Sequence, residues 1–264
     1  MQKALLNVAM IAIVAGSANA AVVYSRTAPN VPSSAFNPGP WLGSADDGLP
    51  ASTQQMITWD DVGVDPAVMG SNTVLEVTRI TFGIRRAAGA PASSLNVYAT
   101  QWNPAALSLD ELLGAAVPPA TDFLAGTINM PARVGTGFLT EEFSLGNGVT
   151  PLFNVGLIYG LYSNTNVGGF SIGLQFGGTF AQTGARWVIP TAAGQTVGTA
   201  ADSFWLTDPQ QVGVAAADLG AFGGFGLGAN NNSFYMIVEG NAIPTPGALA
   251  IAGLGGLLAA RRRR

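Results

Sequence analysis

The chain has 264 residues, 48% of them hydrophobic and only 10% charged, with 35 Gly, no Cys and no His. That length allows one large domain or two small ones. Without Cys or His there is no disulfide scaffold, thiolate zinc site, Cys nucleophile or His-based catalytic dyad or triad. Charge is unevenly placed. Lys3 is the sole Lys and Arg261, Arg262, Arg263 and Arg264 close the chain, so residues 21–242 hold six Arg against all fifteen carboxylates, a net −9. Such a body repels nucleic-acid phosphates and anionic lipid surfaces, and no nucleic-acid partner is expected. The same acidity also serves the solubility of a lightly charged chain.

Residues 1–20 have the layout of a secretory signal peptide. Lys3 supplies the positive start, residues 4–14 are mostly apolar, and Ala18-Asn19-Ala20 is an A-x-A site that places cleavage before Ala21. Sec-type export machinery and signal peptidase are the partners this implies. A short buried helix is the competing reading of the segment. Residues 27–52 are rich in Pro, Ser, Asn and Gly, an arm or long loop.

From 21 to 242 there is no long helical period; period-2 alternation recurs instead. Ile80, Phe82 and Ile84 alternate with Thr81, Gly83 and Arg85, and Leu95, Val97 and Ala99 with Asn96, Tyr98 and Thr100. Val155, Leu157, Tyr159 and Leu161 form a third run, Phe170, Ile172, Leu174 and Phe176 a fourth, and Phe234, Met236 and Val238 a fifth. Alternation of this kind puts one set of side chains on a core and the other on the opposite face. Turn signals such as Asn37-Pro38-Gly39-Pro40, Asp47-Gly48, Asn147-Gly148 and Gly168-Gly169 separate the runs. About ten strands at this spacing predict an all-β fold: an antiparallel β-sandwich, jelly-roll-like. Ser108 and Glu111 have capping-box spacing and predict one helical interruption. The Gly-rich stretch 219–228 reads as a strand with bulges, and the last strand is expected to end near Asn241.

Beyond it, Pro244-Thr245-Pro246-Gly247 leads into thirteen uncharged, mostly apolar residues and then the four Arg. A helix of that length spans about 20 Å. The hydrocarbon core of a bilayer is about 30 Å thick. The segment is therefore short for a permanent anchor, and the Arg cluster orients it tail-inside. Pro-x-Pro-Gly, a short Ala/Leu/Gly helix and a terminal Arg cluster together resemble the PEP-CTERM sorting signal, with Thr245 where that family carries Glu. The resemblance covers residues 243–264. It implies cutting by an exosortase-type membrane protease, a transient stay in the inner membrane, and release to the surface or outside of a Gram-negative-type cell that often makes exopolysaccharide. The expected organisation is thus a signal peptide at 1–20, a β-sandwich body at 21–242 and a sorting tail at 243–264.

Candidate sites in the body are sparse. Asp60, Asp61 and Asp65 flank Gly63 and could supply oxygens to Ca²⁺ in a loop. They lack EF-hand spacing, and solvated acids at a strand end are the simpler reading. Trp41, Trp102 and Trp205 are candidates for a sugar-stacking platform, against the ordinary use of Trp in a core or its rim. The acid pairs Asp46-Asp47, Asp60-Asp61, Asp110-Glu111 and Glu141-Glu142 raise glycoside hydrolysis, whose separation of two carboxylates only a fold can set. No phosphate-binding glycine loop is present, and the usual activating bases for Ser or Thr are missing. The leading expectation is a non-enzymatic surface or matrix protein without a cofactor. Its main rival is a carbohydrate-binding module for exopolysaccharide.

Overall fold

The computed structural model describes residues 20–27, 57–70, 72–100, 123–159, 168–178, 180–188, 197–200, 204–207, 221–223 and 234–244. The signal segment before Ala20, the arm after Thr27, the helix expected around Ser108, Leu161, and the tail from Thr245 onward lie outside them. The described chain is all-β and antiparallel throughout, in two sheets. In order come β1 (Ala21–Arg26), β2 (Ile57–Gly63), the short helix α1 (Pro66–Met69), β3 (Val74–Arg86), β4 (Ser93–Thr100), β5 (Phe123–Met130), β6 (Leu139–Gly146), β7 (Phe153–Gly156) and β8 (Ile158–Tyr159). Then follow β9 (Gly168–Phe176), the short helix α2 (Phe180–Thr183), β10 (Ala185–Trp187), β11 (Phe204–Thr207), β12 (Ala221–Gly223) and β13 (Met236–Ile243).

The first sheet is organised around β3. One edge of β3 pairs with β13 and then β10, the other with β7 and then β6, and β1 lies outside β13. The second sheet runs β12-β11-β2-β9-β4-β5, with β8 on β9. A single hydrophobic cluster draws on both. Ile80, Phe82, Ile84, Met236 and Val238 come from the first sheet, and Val62, Leu95, Val97, Phe170, Ile172, Leu174 and Phe176 from the second. These are the apolar halves of the alternating runs, each buried at about 1.5–3 kcal/mol per large side chain.

Alternation along β3 changes phase partway. Leu75 and Val77 are in the core, and so are Ile80, Phe82 and Ile84, which odd-even counting would put on opposite faces. The register explains it: Glu239 pairs with Arg79 but Gly240 with Val77, so Thr78 is an extra residue, a β-bulge. The Thr78 hydroxyl donates to the Glu239 carbonyl, and the Thr78 carbonyl accepts from the Gly148 amide.

The run Val155 to Leu161 is not one strand, as its alternation predicts. It changes sheets. β7 pairs with β3, the Leu157 amide donates to Thr73, and β8 pairs with β9 in the other sheet. Val155 and Leu157 are still buried, so the pattern records burial correctly while hiding the crossing. Residues 197–199 make a second seam, bridging Ser25 of β1 to Gly63 of β2. Within the stretch 219–228, Ala221–Gly223 is strand as expected, and β13 runs to Ile243, two residues beyond Asn241.

The other face of the second sheet carries a small cluster of Ile57, Trp59 and Tyr98. Gly173 lies beneath it, between Trp59 and Tyr98 in register. A Cβ on Gly173 would stand 2.6 Å from Ile57 and 2.7 Å from the Trp59 ring. Gly173→Val should therefore destabilise the fold by about 1–3 kcal/mol, read as a lower urea midpoint with an unchanged slope.

Candidate functional site

The two adjacent acids of β2 are neither solvated nor at a strand end, correcting the simpler sequence reading. Asp60 and Asp61 are fully buried in mid-strand. Asp60 Oδ1 accepts from the Asp61 amide at 2.9 Å, and Oδ2 accepts from the Phe234 amide at 2.7 Å. Because β2 belongs to the second sheet and Phe234 leads into β13 of the first, this carboxylate ties the two sheets together. Asp61 stands in register with Ser171 of β9, which is in register with Thr100 of β4, and all three are buried. Asp65 acts elsewhere, capping α1 by accepting from the Ala67 amide at 2.8 Å. The three acids weighed as a Ca²⁺ loop thus serve three separate places. Among the described residues no group of three or more acidic, His or Cys side chains could hold a metal ion.

Of the sugar-platform candidates, Trp41 and Trp102 lie outside the described residues. Trp205 is in β11, its backbone in register with Trp59. Trp59 itself is buried, tilted against Tyr98 with ring centroids 6.3 Å apart. Trp187 is in the core between Phe176 and Phe234, at 4.2 and 5.1 Å. Beside Trp59 the same face carries a polar net. Asn96 and Tyr98 both donate to Gln175, and Thr127 donates to Asn96.

The first sheet presents a different outer face. Across β13, β3 and β6 its rows are closed by complementary pairs: Asn241 with Glu76, Arg79 with Glu239, Thr81 with Ser144, and Tyr235 with Glu142. The Tyr235 ring lies across Gly83, where a Cβ would stand 2.5 Å from it. The last row differs. Arg186 of β10 and Arg85 of β3 are direct register partners, opposite Thr140 of β6. Both guanidinium groups stand over one ring, Phe138, at 4.8 Å for Arg85 and 5.9 Å for Arg186, and that residue is 46% exposed. Partial burial, and then the neighbouring Arg186 charge, lower the Arg85 pKa.

Beneath this row is a buried support. Arg86 Nη1 donates to the Pro131 carbonyl at 2.6 Å and Nη2 to Pro91 at 2.8 Å, so β3 grips the chain on either side of β4 and β5. Arg133 Nη1 donates to the Gly137 carbonyl at 2.7 Å, one residue before Phe138. Glu141 lies 3.6 Å from Arg86 and 3.8 Å from Arg133. The adjacent acids Glu141 and Glu142 therefore face opposite sides of β6 and do not pair as hydrolytic carboxylates. The other acid pairs, Asp46-Asp47 and Asp110-Glu111, lie outside the described residues. Composition offered no pointer to this region: Arg85 and Arg86 were legible only as the end of a strand, and Arg133, Phe138 and Arg186 carried no motif. The one usable signal is that four of the body's six Arg gather here, which needs the fold to see.

No protein-family model, curated protein or solved structure matches this chain.

Two outcomes test this geometry. Asp60→Ala strips the acceptor from two amides and should lower stability by at least about 2 kcal/mol, whereas Asp65→Ala, losing one cap bond on a four-residue helix, should lose about 1 kcal/mol or less. Equal effects in urea titrations would contradict the inter-sheet tie. Burial and the hydrogen bond to Glu142 push Tyr235 up to about 12. In the unfolded chain a tyrosine loses its proton near 10. Above that pH the unfolded state binds fewer protons than the folded one, so stability should fall between about pH 10 and 12. Ultraviolet titration should show a late-titrating phenol that is lost in Tyr235→Phe.

Proposed function

We propose that this chain is an exported, non-enzymatic surface or matrix protein whose two sheets form one jelly-roll-like β-sandwich. Its C-terminal segment serves as a sorting signal for an exosortase-type membrane protease. The observation that carries this reading is the pairing of two end signals in one chain. A Lys3-apolar-A-x-A segment stands at the start, and Pro-x-Pro-Gly, an apolar run and four Arg stand at the close. Strand placement supports it. Ala21, the first residue after the proposed cut, opens β1 and pairs with Gly240; β13 ends at Ile243, and Pro244 follows. Both cuts would leave paired strands whole and would lie at the same end of the same sheet edge.

A second reading, a carbohydrate-binding module for exopolysaccharide, draws on the partly exposed row of Tyr98, Gln175 and Asn96, with Trp205 in register beside the buried Trp59. Trp205→Ala should then abolish glycan-array signals. Unchanged binding would count against that row.

Intact-mass spectrometry of the protein from its native envelope and medium tests the leading reading. The expected species lacks residues 1–20 and ends near 243–247. Replacing Arg261, Arg262, Arg263 and Arg264 with Ser should leave an uncut form. A mature species that keeps its four Arg in the membrane fraction would replace sorting with simple anchoring.

A further inference from the structure

We propose that Asn147 is a site of covalent self-modification. Its carboxamide converts to aspartate and isoaspartate through ring closure with Gly148, at a rate set by the seating of the β6–β7 turn on the Thr78 bulge. The inference goes beyond the sorting role and does not depend on it. Asn147-Gly148 is the only Asn-Gly pair in the chain. In the reaction the Gly148 nitrogen gives up its proton to solvent and attacks Asn147 Cγ. The Cγ–Nδ2 bond breaks, and the departing nitrogen takes a proton from solvent and leaves as ammonia. Water, the sole co-reactant, then opens the five-membered imide at one of its two carbonyls. Breaking the new N–Cγ bond gives aspartate. Breaking the original peptide bond gives isoaspartate, with the main chain rerouted through the former side chain.

The fold itself requires this labile pair. Gly148 has φ 78°, and a Cβ there would stand 3.1 Å from Glu239 Oε2, so only glycine fits. Being glycine, it leaves the attacking nitrogen unshielded by a side chain. The same turn holds the reaction back. The Gly148 amide donates to the Thr78 carbonyl at 3.2 Å, so the proton that must leave is engaged. Asn147 Oδ1 accepts from the Val149 amide at 2.9 Å and the Thr150 amide at 2.8 Å, and Nδ2 donates to the Thr150 hydroxyl at 3.3 Å. The carboxamide is thus turned toward the residues ahead. Leu152 clamps the turn, its amide donating to the Val77 carbonyl at 2.7 Å and its side chain lying against Gly146. Asn147, Val149 and Thr150 are exposed, so these bonds yield to local opening, without global unfolding. The other described Asn residues, at 72, 96, 129, 154 and 241, precede Thr73, Val97, Met130, Val155 and Ala242, whose side chains hinder the attack, and the last four lie in strands. Conversion adds one negative charge to a turn that rests against the Arg79–Glu239 pair. Isoaspartate also lengthens the main chain between Gly146 and Gly148, both of which lie on the Thr78 carbonyl, and so unseats the turn.

The test is peptide mapping by mass spectrometry of the full-length chain aged in mildly alkaline buffer, either folded or in urea. In urea Asn147 should convert ahead of every other Asn. In the folded chain it should still convert, at least about tenfold more slowly, because the reaction waits on local opening. Both samples should contain isoaspartate at 147, the mark of imide opening. Leu152→Ala, which removes the clamp beside Gly146, should raise the folded rate several-fold and leave the rate in urea unchanged. Gly173→Ala strains the outer face of the second sheet and should leave both rates unchanged, which separates local release from a general loss of stability. Asn147→Ser keeps an acceptor oxygen but has no carboxamide, so its map should stay constant at that position. The proposal is overturned by equal rates in the folded chain and in urea, or by another Asn leading in urea. It is equally overturned by aspartate without isoaspartate, by an unchanged folded rate in Leu152→Ala, or by Gly173→Ala accelerating the folded reaction as much as Leu152→Ala.

Discussion

The parity of β3 is the constraint from which the rest of the described structure follows. This thirteen-residue strand is hydrogen-bonded on both edges, and its inward side chains set the floor of the core. A strand that kept strict alternation could bury Leu75 and Val77, or Ile80, Phe82 and Ile84, but not both sets. The extra residue Thr78 resolves the conflict by shifting the face once, at a point where the β6–β7 connection crosses and Gly148 meets its carbonyl. Downstream of the bulge the even-numbered residues point in and the odd ones out. That places Arg86 under the sheet and Arg85 on top of it. One local irregularity thus determines which of two adjacent arginines ties the sheets together and which faces outward.

Polar groups carry an unusual share of the structure in a body with so few charges. Asp60 reaches from the second sheet to the Phe234 amide, and Arg86 reaches from the first sheet to the carbonyls flanking β4 and β5. Both are buried and satisfy backbone groups that the end of a strand leaves open, which an apolar side chain could not do. Each fixes a direction and a distance between the sheets in addition to the packing of the core. The same restriction holds Phe138 in place and makes a surface feature out of what is otherwise a loop end.

The polar ladder on the outer face of the first sheet keeps paired polar groups on that face. Arg79 with Glu239, and Tyr235 with Glu142, cover strands whose outer positions include Gly83 and Thr81. The edge strand β6 carries Glu141 and Glu142 in its middle, and charges there discourage edge-to-edge pairing with another copy.

The alternating runs at Ile80, Leu95, Phe170 and Phe234 were legible as strands, and their apolar members as core, because a two-residue period depends only on chain geometry. The all-β class follows from the same period together with the glycine and proline turn signals. The reading proposed for the two end segments rests on sequence alone, through charge, apolar length and small residues that act locally, before any fold exists. What only the tertiary structure decided concerns relations between distant residues. The run from Val155 onward looks like one strand because both sheets bury the same parity; only the partners reveal the crossing. Asp60, Asp61 and Asp65 look like a ligand group because they are close in sequence, yet strand alternation and a helix cap send them apart. Arg85, Phe138 and Arg186 look unrelated because they are far apart in sequence, yet antiparallel register brings them together. Sequence spacing determines which way each side chain faces along its own strand, whereas pairing between strands decides which side chains meet.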